Sequence, residues 1–249
     1  YGVRMGVDMI AASFVRKAEH VRAVREVIRE CGGDQPIIAK IENRQGVEHL
    51  EEIIQECDGV MVARGDLGVH IPPEDVPLVQ KHMIEMCNRH GKPVITATQM
   101  LESMVHNPRP TRAEVTDVAT AIFDGTDAIM LSGETAMGKY PVQAVRVMDR
   151  IARRTERAID YDELLNRRHS SPEPSISEAI SHATCRAAAD LKAAAILTAT
   201  QSGATARMVS KFRPKTRIIA LTPVPEVARR LTVVWGVEPT IVPHTANVD

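Results

Sequence analysis

The sequence predicts an α/β protein built on parallel strands, and two observations carry that expectation. Short apolar runs rich in β-branched residues, at 7–15, 37–41, 59–62, 93–97 and 128–131, alternate with longer stretches of helical period. Each stretch between the runs is long enough for a helix to carry the chain back, so that the next strand points the same way, in right-handed βαβ units. Five such strands fit before residue 135.

The intervening segments are amphipathic. Val21, Val24 and Ile28 share one face of the first; Val47, Leu50 and Ile54 share a face of the second; Val76, Val79, Met83 and Met86 share a face of the third. A further helix is expected over 142–159, with Val145, Met148 and Ile151 buried. The stretch 167–174, Arg-Arg-His-Ser-Ser-Pro-Glu-Pro, is polar and punctuated by proline and reads as a linker between a first domain, 1–166, and a second, 167–249. Beyond it the alternation resumes: helix 176–191, strand 194–198, helix 204–212, strand 217–221, helix 226–233 and strand 237–242. The pattern is interrupted at Asp249, and a sheet ending there would leave an edge uncovered. The missing initiator Met at Tyr1 also suggests a fragment.

Bulk properties exclude several classes. Hydrophobic residues make up 44% and charged residues 25%, the balance of a water-soluble globular protein. Aromatic residues supply only 3%, so the core must be built from Val, Ile, Leu, Ala and Met. A net charge of −1 gives no long-range field for nucleic acid or an anionic membrane. No apolar run approaches the roughly 18–20 residues that span a bilayer. Cys31, Cys57, Cys87 and Cys185 lie far apart without a C-x-x-C pair, which reads as free thiols in a reducing, cytoplasmic compartment.

Three strand ends carry polar residues that a purely structural strand does not need. In Ile38-Ala39-Lys40-Ile41-Glu42-Asn43, Lys40 and Glu42 are two apart and point to the same side of a strand. They suit either a buried ion pair or a site. In Val60-Met61-Val62-Ala63-Arg64-Gly65-Asp66-Leu67-Gly68, Gly65 lets backbone amides turn toward a ligand beside Asp66; an ordinary Asx turn is the alternative. Ile95-Thr96-Ala97-Thr98-Gln99-Met100 sets hydroxyls at a strand end, as a site or as a helix cap. If the ends of adjacent strands converge, as they do in a (β/α)₈ barrel, Glu42 and Asp66 offer two carboxylates to a hard cation such as Mg²⁺. Lys40 beside them supplies the positive charge that phosphoryl transfer requires. The phosphate loops G-x-x-x-x-G-K-[ST] and G-x-G-x-x-G and the protein-kinase signatures are absent. Two segments read first as structure: Thr111-Arg112-Ala113-Glu114 is a capping box opening a helix to about residue 121, and Glu134 in Leu131-Ser132-Gly133-Glu134-Thr135 either caps a turn or faces the strand ends.

In combination these motifs resemble the pyruvate kinase family. The resemblance runs through Lys40-Ile41-Glu42-Asn43, Met61 to Gly68, Thr96 to Met104, Asn107 to Glu114 and Met130 to Ala136, in matching order and spacing over essentially the whole chain. It implies strands four to eight of a (β/α)₈ barrel, that is, a partial TIM barrel, followed by part of an α/β C-terminal domain. It implies transfer of phosphate from phosphoenolpyruvate to ADP, giving pyruvate and ATP. Glu42 and Asp66 then hold Mg²⁺ or Mn²⁺, Lys40 neutralises the phosphoryl group in transit, and Thr98 helps deliver a proton to the enolate carbon. Backbone amides near Ala63, Arg64 and Gly65 receive the substrate carboxylate, and Ser13 and Phe14 line the same site. The resemblance also implies K⁺, with its ligands outside this chain, and a homotetramer with a subunit contact near 109–114.

In the second domain, Thr200-Gln201-Ser202-Gly203-Ala204-Thr205 follows a strand and opens a helix. By the resemblance Thr200, Ser202, Gly203 and Thr205 form an effector site for a phosphorylated metabolite; by the residues alone, a helix cap serves equally. Gln201 replaces a lysine of some relatives, and His70 stands where the family more often has glutamate. Other readings are a metal-dependent aldolase that shares the enolate chemistry, against which the 100–104 run and the second domain argue, and a non-catalytic phosphometabolite-binding module. Five strands do not close an eight-stranded barrel, so the chain alone is expected to be inactive.

Overall fold

The structure, a computed structural model, describes residues 1–167 and 175–244. The expected linker therefore lies outside the described residues, apart from Arg167. Contacts divide the chain into two compact units, Tyr1–Ile159 and Asp160–Asp249.

In the first unit the chain forms β1 (Ile10–Ala12), α1 (Ala18–Glu30), β2 (Ile37–Ile41), α2 (Arg44–Glu48), α3 (Leu50–Glu56) and β3 (Gly59–Ala63). It continues through α4 (Arg64–His70), α5 (Val76–Arg89), β4 (Val94–Ala97), a 3₁₀ turn at Glu102–Val105, α6 (Arg112–Asp124), β5 (Ala128–Met130), α7 (Gly133–Ala136) and α8 (Pro141–Glu156). The strands lie side by side in sequence order, and every pairing is parallel. This is the βαβ alternation read from the sequence, as an open five-stranded sheet. The helices pack on one face of this sheet, where the alternate strand residues are apolar and buried. Ile37, Ala39, Ile41, Val60, Val62 and Val94 pack with Val21, Ile28, Ile53, Ile54, Met83 and Ile84. On the opposite face the strand residues Ile38, Met61, Ile95, Ala97 and Met130 pack side by side, with Met9 beside them.

Two aspartates set the level at which strands begin. Asp58 accepts the Ile37 amide at 2.9 Å while its own amide donates to the Ile37 carbonyl at 2.9 Å. Asp127 does the same for Val94, at 3.0 and 2.9 Å. The outermost backbone donor of β2 and of β4 is thereby satisfied by the neighbouring chain, as buried amides require.

Three local expectations change. The apolar run 7–15 yields only Ile10–Ala12 as strand, because Gly6 (φ +67°) and Phe14 (φ +52°) take left-handed backbone at its two ends. The segment carrying Val47, Leu50 and Ile54 divides at His49 into α2 and α3. In α8 the buried residues are Ala144, Met148 and Thr155, whereas Val145 is 53% exposed. Met148 is buried as expected and Ile151 is half-buried, so on the stripe that packs on α6 and α7 only the expected Val145 gives way, to Ala144.

The second unit contains α9 (Tyr161–Arg167), α10 (Ile176–Asp190), β6 (Ala195–Ala199), α11 (Ala204–Ser210), β7 (Arg217–Thr222), α12 (Pro225–Leu231) and β8 (Val237–Ile241). Its three strands are parallel in the order β6-β7-β8. Leu165, Cys185, Val209, Phe212, Ile218, Leu231 and Val237 form its core. All four cysteines are free thiols. Burial pushes Cys57 up to about 11 and Cys185 up to about 12, so both are inert packing residues at neutral pH.

The capping box forms as expected. Thr111 Oγ1 accepts the Glu114 amide at 3.2 Å, and Glu114 Oε2 accepts the Thr111 amide at 2.7 Å. The same carboxylate also takes the amide and hydroxyl of Ser103, at 2.7 and 2.6 Å, tying the 3₁₀ turn to α6. Burial works to raise the Glu114 carboxyl, but the hydrogen bonds from Ser103 and Thr111 outweigh it and hold the group below its ordinary value of 4.5. A depressed carboxylate stabilises the fold above its unfolded value, and that stability is lost as pH falls through the folded value. We predict that Glu114→Gln lowers stability by about 1 kcal/mol at pH 7. The difference from the parent should shrink in thermal melts recorded at successively lower pH from 4.5 downwards. A gap that stays constant with pH would rule out the charge as its source.

Candidate active site

Register brings the polar strand ends to the same edge of the sheet. Ala12 pairs with Ala39, Ile41 with Val62, and Ala63 with Ala97. Ser13 therefore leaves β1 beside Lys40, Glu42 leaves β2 beside Ala63, and Thr98 leaves β4 beside Arg64.

The Lys40–Glu42 pair is the centre of a hydrogen-bonded group. Lys40 Nζ lies 2.7 Å from Glu42 Oε1 and 3.1 Å from Ser13 Oγ. Glu42 is only 1% exposed, and its second oxygen accepts the Phe14 amide. A carboxylate this deep needs such partners, since desolvation otherwise drives it to neutrality. The chain after β1 is held to it from both sides. The Val15 amide donates to the Lys40 carbonyl at 3.3 Å, and α2 crosses so closely that a Cβ on Gly46 would lie 2.6 Å from the Val15 carbonyl oxygen. Asn43 caps α2 by accepting the Gly46 amide at 2.9 Å. The structure thus brings Ser13, Phe14, Lys40 and Glu42 together.

A second group forms around Thr98. Its hydroxyl accepts the Gly65 amide at 2.8 Å, and its carbonyl accepts two bonds from the Arg64 guanidinium, at 2.6 and 3.2 Å. Thr98 (φ +72°), Gln99 (φ +54°) and Phe14 (φ +52°) are non-glycine residues in left-handed backbone, all at this edge of the sheet. For a β-branched residue that conformation costs about 1–3 kcal/mol and persists only where surrounding contacts enforce it, a pattern that gathers at functional sites. Thr96, by contrast, is fully buried and bonds the Thr126 hydroxyl at 3.0 Å, which is a structural role.

Of the three amides expected to face a ligand, that of Gly65 is committed to Thr98. Asp66 is exposed in the first turn of α4, and His70 is exposed at its end. Among the described residues no group of three or more His, Cys, Asp or Glu side chains could hold a metal ion. Glu134 is fully buried and accepts the amides of Leu101 and Ser132 at 2.9 and 2.8 Å, the capping alternative, with each oxygen spent on a loop. Sequence reasoning missed Gln80 and Asp117, which hold Arg64 at 3.3 and 2.7 Å. A signal for Gln80 existed, a polar residue within the apolar stripe of α5; Asp117 had none.

In the second unit the cap alternative also describes the geometry. Thr200 Oγ1 accepts the Gly203 amide at 2.8 Å, and Ser202 Oγ accepts the Ala204 amide at 3.4 Å. Gly203 caps α11 in left-handed backbone (φ +79°), and Thr205 is exposed on the first turn.

A parallel β/α sheet whose strand C-termini carry a half-buried lysine on a buried glutamate, a solvent-facing aspartate and a strained threonine defines a β/α protein with its candidate site at that edge. The pyruvate kinase barrel-domain family matches residues 1–145, and the pyruvate kinase alpha/beta-domain family matches residues 178–249. The chain belongs to the pyruvate kinase family. It is 55% identical over 250 residues to a pyruvate kinase of Clostridium acetobutylicum, covering all of this chain and 53% of that protein. It is 54% identical over 250 residues to one from Geobacillus stearothermophilus, covering all of this chain and 43% of that protein. A crystal structure of a pyruvate kinase from Cryptosporidium parvum superimposes with a TM-score of 0.94 at 47% identity, over 97% of this chain and 51% of that one. The chain spans about half the length of the curated relatives it matches.

Removing the cation tests how the buried carboxylate is held. We predict that Lys40→Met, which leaves Glu42 with only the Phe14 amide, lowers stability by about 1–3 kcal/mol in metal-free buffer. Chemical denaturation would measure the loss, and an unchanged midpoint would mean that the pair contributes nothing to the fold.

Proposed function

We propose that the complete gene product containing this chain transfers the phosphoryl group of phosphoenolpyruvate to ADP, giving pyruvate and ATP. The observation that carries the proposal is the Lys40 ammonium, held between Glu42 and Ser13 at the strand ends of a chain of this family. In the reaction the bond between phosphorus and the bridging oxygen breaks and a bond to an ADP β-phosphate oxygen forms. The electron pair stays on the substrate as an enolate, whose carbon then takes a proton. Lys40 offsets the negative charge of the group in transit, and a donor already fixed in place costs no reorganisation. Thr98 passes a solvent-derived proton to the enolate carbon, and the Ala63–Gly65 turn with Ser13 and Phe14 seats the substrate.

Glu42 and Asp66 suit Mg²⁺ or Mn²⁺. Each Glu42 oxygen holds one protein partner and keeps a lone pair, Asp66 is exposed, and Mg²⁺ takes one or two carboxylates together with substrate oxygens. When bound, the cation supplies positive charge to the enolate and phosphoryl oxygens. K⁺ belongs to the same proposal, with ligands outside this chain, as does a homotetramer with a contact near 109–114. An effector role for Thr200, Ser202, Gly203 and Thr205 requires a phosphorylated metabolite to displace Thr200 Oγ1 and Ser202 Oγ from their amides. Among the described residues no helix is long and apolar enough to cross a membrane.

A coupled assay of the complete gene product with phosphoenolpyruvate, ADP, Mg²⁺ and K⁺ should show ADP-dependent pyruvate formation. Lys40→Met, assayed below its lowered melting midpoint, should reduce kcat by about 10²-fold or more. Absence of ADP-dependent pyruvate sinks the proposal; a variant at the parent rate would leave Lys40 as an ion-pair partner only.

A further inference from the structure

Arg64 and Gly65 are consecutive, and together they grip one residue on the neighbouring strand end. The Arg64 side chain takes the Thr98 carbonyl through Nη2 and Nε, at 2.6 and 3.2 Å, and the Gly65 amide takes the Thr98 hydroxyl at 2.8 Å. Thr98 is β-branched and sits at φ +72°, a conformation its own side chain disfavours, so the grip rather than local preference sets it. The bond from Gly65 occupies an acceptor position on Oγ1 and leaves the hydroxyl's single O–H donor for something else. Among the described residues that donor meets no protein acceptor.

The guanidinium is itself anchored. Arg64 is 8% exposed, and Nη1 meets Asp117 on α6 at 2.7 Å and Gln80 on α5 at 3.3 Å, while Nη2 meets the Met100 sulfur at 2.8 Å. A buried charge carries a large desolvation cost and is a poor choice for simple packing, which apolar side chains do at least as well. The planar fork does what an apolar side chain cannot: it gives two donors to one carbonyl while the opposite nitrogen is fixed by a carboxylate.

We propose that Arg64, anchored by Asp117, is a positioning residue that fixes the Thr98 hydroxyl for protonation of the enolate. The inference rests on the functional reading above and extends it to two side chains that touch no substrate.

A double-mutant cycle on the complete gene product tests it. Arg64→Lys keeps the charge but loses the fork, and should lower kcat by about 10- to 100-fold, as small misplacements of catalytic groups do. The KM for phosphoenolpyruvate should barely change. Asp117→Ala should act in the same direction to a smaller extent. Exchange of pyruvate methyl protons in D₂O, followed by NMR, should fall in parallel, because it reports proton delivery directly. In a Thr98→Ala background neither change should cost anything further. Circular dichroism checks folding; Asp117 is partly exposed, so Asp117→Ala decides the matter if Arg64→Lys fails to fold. Equal losses in both backgrounds, or variants at parent rates, overturn the inference while leaving an active parent enzyme. A parent that forms no pyruvate overturns the functional reading and this inference with it.

Discussion

The register between parallel strands is the constraint from which everything placed at the candidate site follows. Asp58 and Asp127 each close a reciprocal pair of backbone bonds with the first residue of a neighbouring strand. With the strand starts pinned, Ile41 meets Val62 and Ala63 meets Ala97. A slip of one residue would turn Lys40 and Glu42 to the opposite face, where Val21, Ile53 and Met83 form an apolar layer. The cost of burying two charges there makes the register self-enforcing: the same pair that marks the site also penalises misalignment.

At the edge so defined, buried charge and backbone strain support each other. Glu42 tolerates near-complete burial because it takes an ammonium on one oxygen and an amide on the other. The amide belongs to Phe14, whose left-handed backbone turns the N–H inward. Arg64 likewise spends its donors on a left-handed residue, Thr98. In both cases a conformation that costs about 1–3 kcal/mol alone is held by a charge-assisted hydrogen bond of comparable strength. Neither the charge nor the strained residue would be stable without the other, which argues for reading the edge as one unit rather than as separate polar residues.

This coupling explains what was legible in the sequence. Strand and helix order came through because periodicity and β-branched runs are local signals, and Lys40, Glu42 and Thr98 stood out as polar residues ending apolar runs. The extent of the first strand did not, because Phe14 is an apolar residue whose left-handed backbone is imposed by Glu42, 28 positions away. Along α8 the expected face holds at Met148 and fails at Val145, since Val145 is as apolar as its buried neighbours and only the position of α6 and α7 selects among them. Asp117 was invisible for the same reason: an acid on a helix looks like a solvated face until a guanidinium 53 residues earlier reaches it.

The two strand-to-helix turns show why motif alone does not decide chemistry. Both place a glycine amide on a threonine hydroxyl, Gly65 on Thr98 and Gly203 on Thr200, at 2.8 Å each. In the second unit the bond spans three residues and shapes only its own loop. In the first it spans 33 residues and joins two strand ends, so any force on one is transmitted to the other. The cations differ as well. Arg207 gives a donor to the Ser202 carbonyl of its own turn, 3.2 Å away, whereas Arg64 crosses to another strand and Lys40 bridges to a third. A loop closed on itself has little to offer a ligand without first opening, but strand ends tied across a sheet hold their polar groups in place with no ligand present. Preorganisation of that kind is what the proposed phosphoryl transfer would call for, and within this chain it is the first unit that supplies cross-strand ties.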